Sequence, residues 1–107
     1  MEYQLVMNYK ENEVLRRSFS ALAMETFGIN FEKWYAAGGW NGHYVPCSFR
    51  HEDRIIANVS VNTMKLLVEG EIENAIQIGT VMTEPSFRGQ GLAGRLMERV
   101  LEEYEEK

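Results

Sequence analysis

Apolar residues recur at helical spacing in two stretches of the chain. In the first stretch, the apolar positions on one side of a 3.6-residue period are Val14, Leu15, Phe19, Leu22, Ala23 and Phe27. Asn12 is a suitable N-cap before this stretch and Gly28 a suitable stop after it, which predicts a helix over Glu13–Thr26. The second apolar stripe is Leu92, Leu96, Met97, Val100, Leu101 and Tyr104. It predicts an amphipathic helix over Gly91–Glu106 with an acidic opposite side.

Alternation of apolar and polar residues predicts strands between and before these helices. The predicted strands are Glu2–Tyr9, Cys47–Arg50, Ile55–Val68 and Ile72–Thr83. Polar turns separate the last three, which predicts an antiparallel meander. In the last strand, the alternation assigns to one face the residues Ile76, Ile78, Thr80 and Met82.

The segment between the first helix and the meander is less regular. Phe31–Ala37 is predicted as a short second helix. Gly38–Pro46 follows, with three glycines and the aromatic residues Trp40 and Tyr44. We expect a loop there, of the kind that often carries function.

Composition limits the class of protein. The 107 residues are expected to form one domain, over 1–107, with 45% hydrophobic and 25% charged residues. Eleven Lys and Arg against sixteen Asp and Glu give a net charge of −5, which argues against nucleic acid as a partner. A single cysteine, Cys47, offers neither a disulfide nor a metal cluster, and no signal peptide or membrane-spanning run is evident. We therefore expect a cytoplasmic protein with no metal and no membrane partner.

The segment Val81–Gly94 carries the most chemical information. It predicts a strand, a turn with Pro85, a glycine-spaced loop and a helix start. Gly89 and Gly91 allow the main chain to approach a ligand closely. The first helical turn leaves N–H groups without partners and carries partial positive charge, which suits a phosphate or pyrophosphate.

Two other interpretations of this glycine spacing remain. A Gly-x-Gly before a helix is common, and it can serve only as a structural helix start. The spacing Gly89-x-Gly91-x-x-Gly94 also fits a dinucleotide-binding fingerprint. The predicted meander does not supply the strand-helix-strand unit and the ribose-binding acid that such a fingerprint needs.

The run Arg88-Gly-Gln-Gly-Leu-Ala93 resembles the Arg/Gln-x-x-Gly-x-Gly/Ala motif of the GNAT superfamily of acetyl-CoA-dependent N-acetyltransferases. The approach to it, Val81-Met-Thr-Glu-Pro-Ser-Phe-Arg88, is also similar to that family's. So is the order of predicted elements: a strand, one or two helices, three antiparallel strands, the loop and a helix. The resemblance covers nearly all of the chain and implies an α/β, α+β-like GNAT fold, with a mixed, mostly antiparallel sheet flanked by helices.

The resemblance also implies a reaction and a set of coenzyme-binding residues. An acceptor primary amine would attack the thioester of acetyl-CoA directly, with no metal involved. Amides of the glycine loop would hold the pyrophosphate, and a bulged last strand would pair with the pantetheine arm and supply an oxyanion donor. The implied coenzyme-binding residues are Val81, Met82, Thr83, Arg88, Gly89, Gln90, Gly91, Leu92, Ala93 and Gly94.

The sequence departs from the family after this helix. A GNAT domain continues with a further strand and a helix that often supplies a tyrosine as general acid, and nothing here matches that tyrosine. We expect a domain truncated after the pyrophosphate-binding helix, with the last strand exposed at one edge and prone to pair in a homodimer. The alternative to an active enzyme is a non-catalytic fragment that binds CoA or dimerises.

Candidates for the remaining roles are weaker. Glu84 is a candidate base, although an acid before Pro85 is more often a solvated turn residue. Trp34, Trp40 and Tyr44 are candidates for contacting an amine acceptor by cation–π interaction, against the alternative that these aromatic residues pack in the core. His43, in the aromatic loop, is a further candidate base. The sequence does not identify the acceptor, although the net negative charge favours a cation.

Overall fold

A four-stranded antiparallel sheet lies at the centre of the fold. The computed structural model describes residues 3–104, and in this range the strands are ordered β1-β2-β3-β4. Their bounds are Gln4–Met7 for β1, Tyr44–His51 for β2, Arg54–Val68 for β3 and Glu71–Thr83 for β4. Every neighbouring pair is antiparallel, which confirms the predicted meander. The predicted ends at Glu2 and Glu106 lie outside the described residues.

Within the described residues, three α-helices accompany the sheet: α1 over Glu13–Phe27, α2 over Phe31–Ala36 and α3 over Leu92–Tyr104. The Asn12 side chain accepts a hydrogen bond from Leu15 N at 3.2 Å, which caps α1 as predicted. Gly28 ends this helix with φ +72, a left-handed conformation that glycine adopts at little cost. No helix in residues 3–104 is long and apolar enough to span a membrane.

Apolar side chains pack on both faces of the sheet. On one face, α1 and α2 cover a cluster that includes Phe19, Phe31, Trp40, Tyr44, Ile55 and Met82. On the other face, α3 covers a cluster that includes Phe49, Val59, Val61, Phe87, Leu96 and Val100. Most of the stripe predicted for α3 packs on the sheet, through Leu92, Leu96 and Val100. Leu101, which was predicted on the same stripe, is instead 51% exposed.

Arg16 fixes α2 against α1. Its Nε donates to Glu32 Oε2 at 3.1 Å, and its Nη1 donates to the carbonyl of Lys10 at 3.1 Å. The guanidinium also lies over the ring of Tyr35, 3.9 Å from its centroid. The hydrogen bond from Arg16 is the main reason why the pKa of Glu32 lies below its usual range.

The expected loop Gly38–Pro46 is wrong at its C-terminal end, because β2 begins at Tyr44. A proline within a strand cannot donate a hydrogen bond to a ladder. Pro46 is accommodated because the β1–β2 ladder does not include it. The last pair of this ladder is Met7 with Cys47, the residue that follows Pro46. The Pro46 carbonyl still accepts from Asn8 N at 3.2 Å.

A bulge in β4 reverses the predicted face of the strand's last residues. The ladder pairs on either side of the bulge are Asn58 with Met82 and Ser60 with Gly79. Two residues of β4, Thr80 and Val81, therefore lie opposite Val59 alone. The extra residue shifts the alternation, so that Met82 packs with α1 while Ile76 and Ile78 pack toward α3. The prediction that all these residues share one face is wrong.

Candidate functional site

Strand β4 leads into a short turn that aims the chain at the start of α3. Pro85–Phe87 form one turn of 3-10 helix, and Glu84 caps this turn by accepting from Ser86 N at 2.9 Å. The amide of Glu84 donates to the carbonyl of Ile56 at 2.8 Å, which extends the pairing with β3 by one residue. After the turn, Arg88 Nε donates to the carbonyl of Thr83 at 3.1 Å. The loop is therefore tied back onto the end of β4.

The loop between Arg88 and α3 depends on two glycines in the left-handed region. Gly89 has φ +82 and Gly91 has φ +74, conformations that side-chain-bearing residues rarely adopt. The first intrahelical bond runs from Arg95 N to the carbonyl of Gly91 at 3.1 Å. The amides of Leu92 and Gly94 precede this bond, so the helix itself supplies them with no acceptor. The result is an exposed helix N-terminus with free donors and partial positive charge.

Gly94 differs from the two loop glycines. Its φ lies outside the left-handed region, and a Cβ built on it meets nothing within 4 Å. Glycine inside a helix costs about 0.5–1 kcal/mol relative to alanine. Neither the backbone conformation nor packing within the described residues therefore accounts for glycine at this position. A ligand lying against the first turn of α3 would account for it.

The bulge in β4 lies close to this loop. Thr80 and Thr83 are three residues apart on one strand, or about 10 Å along it. Thr80 has φ +50, which is strained for a β-branched residue, and neither Thr80 nor Val81 has a one-to-one ladder partner on β3. The Val81 side chain is 43% exposed. The strand thus presents irregular main chain next to the loop.

A chain of buried polar side chains lies beneath the bulge. The Tyr9 hydroxyl is 2.7 Å from Ser48 Oγ, and Ser48 Oγ donates to Asn58 Oδ1 at 2.6 Å. Asn58 Nδ2 donates to Ser60 Oγ at 2.8 Å and to the main-chain carbonyl of Thr80 at 2.8 Å. Ser48 and Asn58 are wholly buried. The amide of Asn58 therefore makes three hydrogen bonds, one of them to the strained residue.

Sequence reasoning missed this cluster, although β3 carries a signal that could have revealed it. Asn58 and Ser60 alternate with apolar residues on a strand that is buried on both faces. Polar residues at such positions need hydrogen-bond partners. The partners of Asn58 include Ser48 on β2 and the Thr80 carbonyl on β4, and only the fold brings them together.

The structure brings Trp34, Trp40 and Tyr44 into one aromatic cluster. Trp34 and Trp40 stack at 6.3 Å between centroids, and Trp34 meets Tyr44 edge-on at 5.2 Å. Trp40 and Tyr44 are buried, whereas Trp34 is 38% exposed. Gly39 is required here, because a Cβ on it would lie 1.9 Å from Trp34 Nε1. Only Trp34 therefore offers ring surface to a ligand.

Tyr44 connects this aromatic cluster to the bulge. Its hydroxyl donates to Thr80 Oγ1 at 2.9 Å. Burial raises the pKa of Tyr44, against the opposing effect of hydrogen bonds with Ser60 and Thr80. Beside this contact is a cavity of about 240 Å³, lined among others by Ser60, Asn62 and Gln77.

The candidate bases have other contacts. The Glu84 carboxylate caps the 3-10 turn and also pairs with Arg54 at 3.2 Å. His43 is exposed, and its Nδ1 lies 3.1 Å from Thr63 Oγ1. His43 lines a larger groove, of about 1110 Å³, which also includes Tyr104 at the end of α3 and none of the residues of the glycine loop. Neither side chain reaches the bulge through a contact of its own among the described residues.

The coenzyme-binding residues predicted from the sequence are exposed or partly exposed, with two exceptions. Met82 and Leu92 are both only 3% exposed, because their side chains belong to the cores on either face of the sheet. These two residues can therefore contact a ligand only through the main chain. Within residues 3–104, no three His, Cys, Asp or Glu side chains converge in a way that could hold a metal ion.

Comparison with known proteins gives a family match over most of the chain. A family model described as an acetyltransferase (GNAT) domain matches residues 13–107. A search of the curated proteins found no match.

Solved structures of similar fold include several acyltransferases. A probable N-acyltransferase from Enterococcus faecalis superposes with a TM-score of 0.80 at 18% identity, over 99% of this chain and 27% of its own. Glucosamine-6-phosphate N-acetyltransferase from Arabidopsis thaliana gives a TM-score of 0.71 at 20% identity, over 95% of this chain and 74% of its own. A predicted acetyltransferase with acetyl-CoA, from Clostridium acetobutylicum, gives a TM-score of 0.69 at 17% identity, over 98% of this chain and 75% of its own. The chain thus spans about a quarter of the first protein and about three quarters of the other two, and the shared fold is the GNAT fold.

Proposed function

Because the chain belongs to the GNAT acetyltransferase domain family, we propose that it binds acetyl-CoA and takes part in transfer of the acetyl group to a primary amine. The segment Gly89–Gly94, which comprises the glycine loop and the first residues of α3, is assigned to the pyrophosphate of the coenzyme. The main chain of Val81, Met82 and Thr83 is assigned to the pantetheine arm.

The observation that carries the pyrophosphate assignment is the open space at Gly94. No atom lies within 4 Å of a Cβ built there, although the residue has ordinary helical geometry. The free amides of the first helical turn point out of the same end of α3, where an anion is favoured by the helix dipole. Arg88 lies beside this end, with its Nε held by the Thr83 carbonyl and the rest of its guanidinium exposed. These features suit a phosphate group.

The residues of β4 would orient the reacting end of the coenzyme. Acetyl-CoA supplies a thioester whose carbonyl carbon an amine can attack, so that a C–N bond forms as the C–S bond breaks. Main-chain donors at the bulge, around Thr80 and Val81, are suited to hold the carbonyl oxygen. Extended main chain after the bulge, up to Thr83, is suited to pair with an amide-containing arm.

The acceptor is proposed to approach from the side of the sheet that α1 and α2 cover. Tyr44 and the cavity next to Thr80 lie on that side. Trp34 is the aromatic residue available to contact a cationic amine, and the net charge of −5 would favour such an acceptor. Glu84 is assigned to the turn that it caps, so the base is not assigned to this residue.

A second candidate function is binding of CoA without turnover, or self-association. The far edge of β4 has no partner strand among residues 3–104, and such an edge can pair with a second copy. Loss of transfer with retention of coenzyme binding would favour this alternative. A cytoplasmic location stays a prediction from the sequence.

Calorimetric titration of the chain with acetyl-CoA tests the proposed function. We expect micromolar binding, weakened by about tenfold or more in Gly94→Leu because the new side chain occupies the space assigned to the pyrophosphate. Gly91→Val is unsuitable for this test, because φ +74 means that a side chain at this position would strain the loop itself.

Gly42→Leu is the matched control. Gly42 also has an ordinary φ and open space around its Cβ, but it lies in the loop before β2. We expect this variant to bind like the unmodified chain, and both variants to keep the same circular dichroism. Unaltered binding by a folded Gly94→Leu chain would remove the pyrophosphate assignment.

A further inference from the structure

We propose that Asn58 is a positioning residue for acetyl-CoA. From β3 it holds the bulge of β4 in the conformation that leaves the main chain of Thr80 and Val81 open to the thioester, and Tyr44 assists it. This inference rests on the proposed function of the same site, and the experiment below separates the two.

The bulge needs such a support because its conformation is unfavourable. A non-glycine residue in a sparsely populated backbone region costs about 1–3 kcal/mol and persists only when its surroundings impose it. Thr80, with φ +50, is β-branched and therefore among the residues least suited to this region. It also lies where the β3–β4 ladder is interrupted. Local sequence preference does not explain this geometry, so tertiary contacts must.

Asn58 supplies the contact to the Thr80 main chain. Its Nδ2 donates to the Thr80 carbonyl at 2.8 Å, in the place of the interrupted ladder. Ser48 Oγ donates to Asn58 Oδ1 at 2.6 Å, which fixes the orientation of the amide so that Nδ2 faces Thr80. A fully buried amide is costly unless it is satisfied, and an apolar residue would pack here without that cost. The amide therefore has a role that packing does not provide.

Tyr44 supplies a second, independent contact, to the Thr80 side chain. Its hydroxyl donates to Thr80 Oγ1 at 2.9 Å. This bond gives a reason for threonine at a position where glycine would relieve the backbone strain. Together the two bonds hold both the carbonyl and the side chain of Thr80, which leaves the outer edge of the bulge free. That edge is the part of β4 assigned above to the thioester.

The proposed test compares affinity for acetyl-CoA with affinity for CoA, because the two ligands differ only in the acetyl group. We expect the unmodified chain to bind acetyl-CoA about fivefold more tightly, the factor that one net hydrogen bond contributes. Asn58→Leu and Tyr44→Phe should reduce this preference to below about twofold while affinity for CoA itself changes little. General destabilisation would lower both affinities together, so the ratio reports on the bulge.

Tyr9→Phe is the matched control. It removes a buried hydroxyl from the far end of the same polar chain, 2.7 Å from Ser48 Oγ, without touching Thr80. We expect the preference for acetyl-CoA to survive in this variant. Tyr44→Phe keeps the aromatic packing, so it carries the test if Asn58→Leu does not fold.

The outcomes are distinguishable. Equal affinity of the unmodified chain for acetyl-CoA and CoA would overturn the positioning role. A preference for acetyl-CoA that is preserved in folded Tyr44→Phe and Asn58→Leu would also overturn it. If Asn58→Leu does not fold, a preserved preference in Tyr44→Phe alone would do so. Loss of the preference in Tyr9→Phe as well would assign the effect to the polar core as a whole and overturn the specific role. Failure of the unmodified chain to bind either ligand would refute the proposed function itself, and this inference with it.

Discussion

The guanidinium Nε of Arg88 donates to the main-chain carbonyl of Thr83 at 3.1 Å. This bond joins Arg88, the residue before Gly89, to the last residue of β4, across the 3-10 turn between them. It ties together the two surfaces assigned to the coenzyme, the loop and the strand. The same side chain leaves its remaining N–H groups exposed beside the N-terminus of α3.

Replacement of Arg88 by glutamine should weaken coenzyme binding about threefold at low salt, because it removes a formal positive charge beside the pyrophosphate site. The difference between the variant and the unmodified chain should shrink as salt is raised, since mobile ions screen exposed charges. Calorimetric titration with CoA at two ionic strengths measures both effects. Arg99→Gln, at an exposed position farther along α3, is the control and should show neither. A salt-independent difference at Arg88 would contradict an electrostatic role.

Replacement of Gly94 by alanine should stabilise the protein by about 0.5–1 kcal/mol, because the new Cβ meets open space and alanine favours helix. Gly91→Ala should have the opposite sign, since its φ of +74 disfavours any side chain. Urea unfolding followed by circular dichroism measures both changes. A destabilised Gly94→Ala chain would mean that glycine serves the fold at this position, and the argument for a ligand there would fail.

Acidification should weaken the attachment of α2 to α1 through Glu32. The Arg16 hydrogen bond lowers the folded-state pKa of Glu32 from its ordinary value of 4.5. The unfolded chain therefore takes up a proton before the folded chain does. This contribution to stability is complete above the unfolded pKa and is lost as pH falls through the lower, folded pKa.

Urea unfolding at pH 7 and at pH 4 should accordingly show a smaller drop in stability for Glu32→Gln than for the unmodified chain. Glu13→Gln is the control, because Glu13 pairs with Arg17 on the exposed side of α1. It should behave like the unmodified chain. A Glu32→Gln chain that loses as much stability on acidification as the unmodified chain would contradict the assignment.

Self-association is predicted to involve the β3–β4 hairpin. Leu67 and Ile72 lie opposite each other near its tip and are 75% and 71% exposed. Sedimentation should show a weight-average mass that rises with concentration and falls back in Leu67→Lys/Ile72→Lys. Val14→Lys, at an exposed apolar position on α1, should have no effect. A mass of one chain at all concentrations would remove the prediction.

The starts of the three helices, and the ends of α1 and α2, were predictable from the sequence to within one residue, because apolar periodicity and caps such as Asn12 and Gly28 act locally. β4 ends at Thr83 as predicted, but its alternation pattern did not reveal where the bulge lies. Thr80 looks like an ordinary strand residue, and only the tertiary contacts from Asn58 and Tyr44 hold it at φ +50. The start of β2 was missed for a related reason, since Pro46 is tolerated only where the partner strand stops.

The candidate site was predictable in part. The glycine loop carries its geometry in its own residue types, so its place before α3 follows from the sequence. Whether Trp40 and Tyr44 can contact an acceptor depends on how deeply their side chains pack. Both side chains are buried, an alternative that the sequence pattern left open. The polar chain from Tyr9 to Asn58 joins the loop after β1 to β2 and β3, and no local pattern indicates which partners meet.

The central claim is that the segment Gly89–Gly94, at the glycine loop and the start of α3, binds the pyrophosphate of coenzyme A. Titration of the unmodified chain with CoA and, separately, with pantetheine tests it most directly, because pantetheine keeps the thiol arm and lacks the pyrophosphate and nucleotide. The account predicts micromolar binding of CoA and binding of pantetheine weaker by about a hundredfold or more. Equal affinity for the two ligands would contradict it.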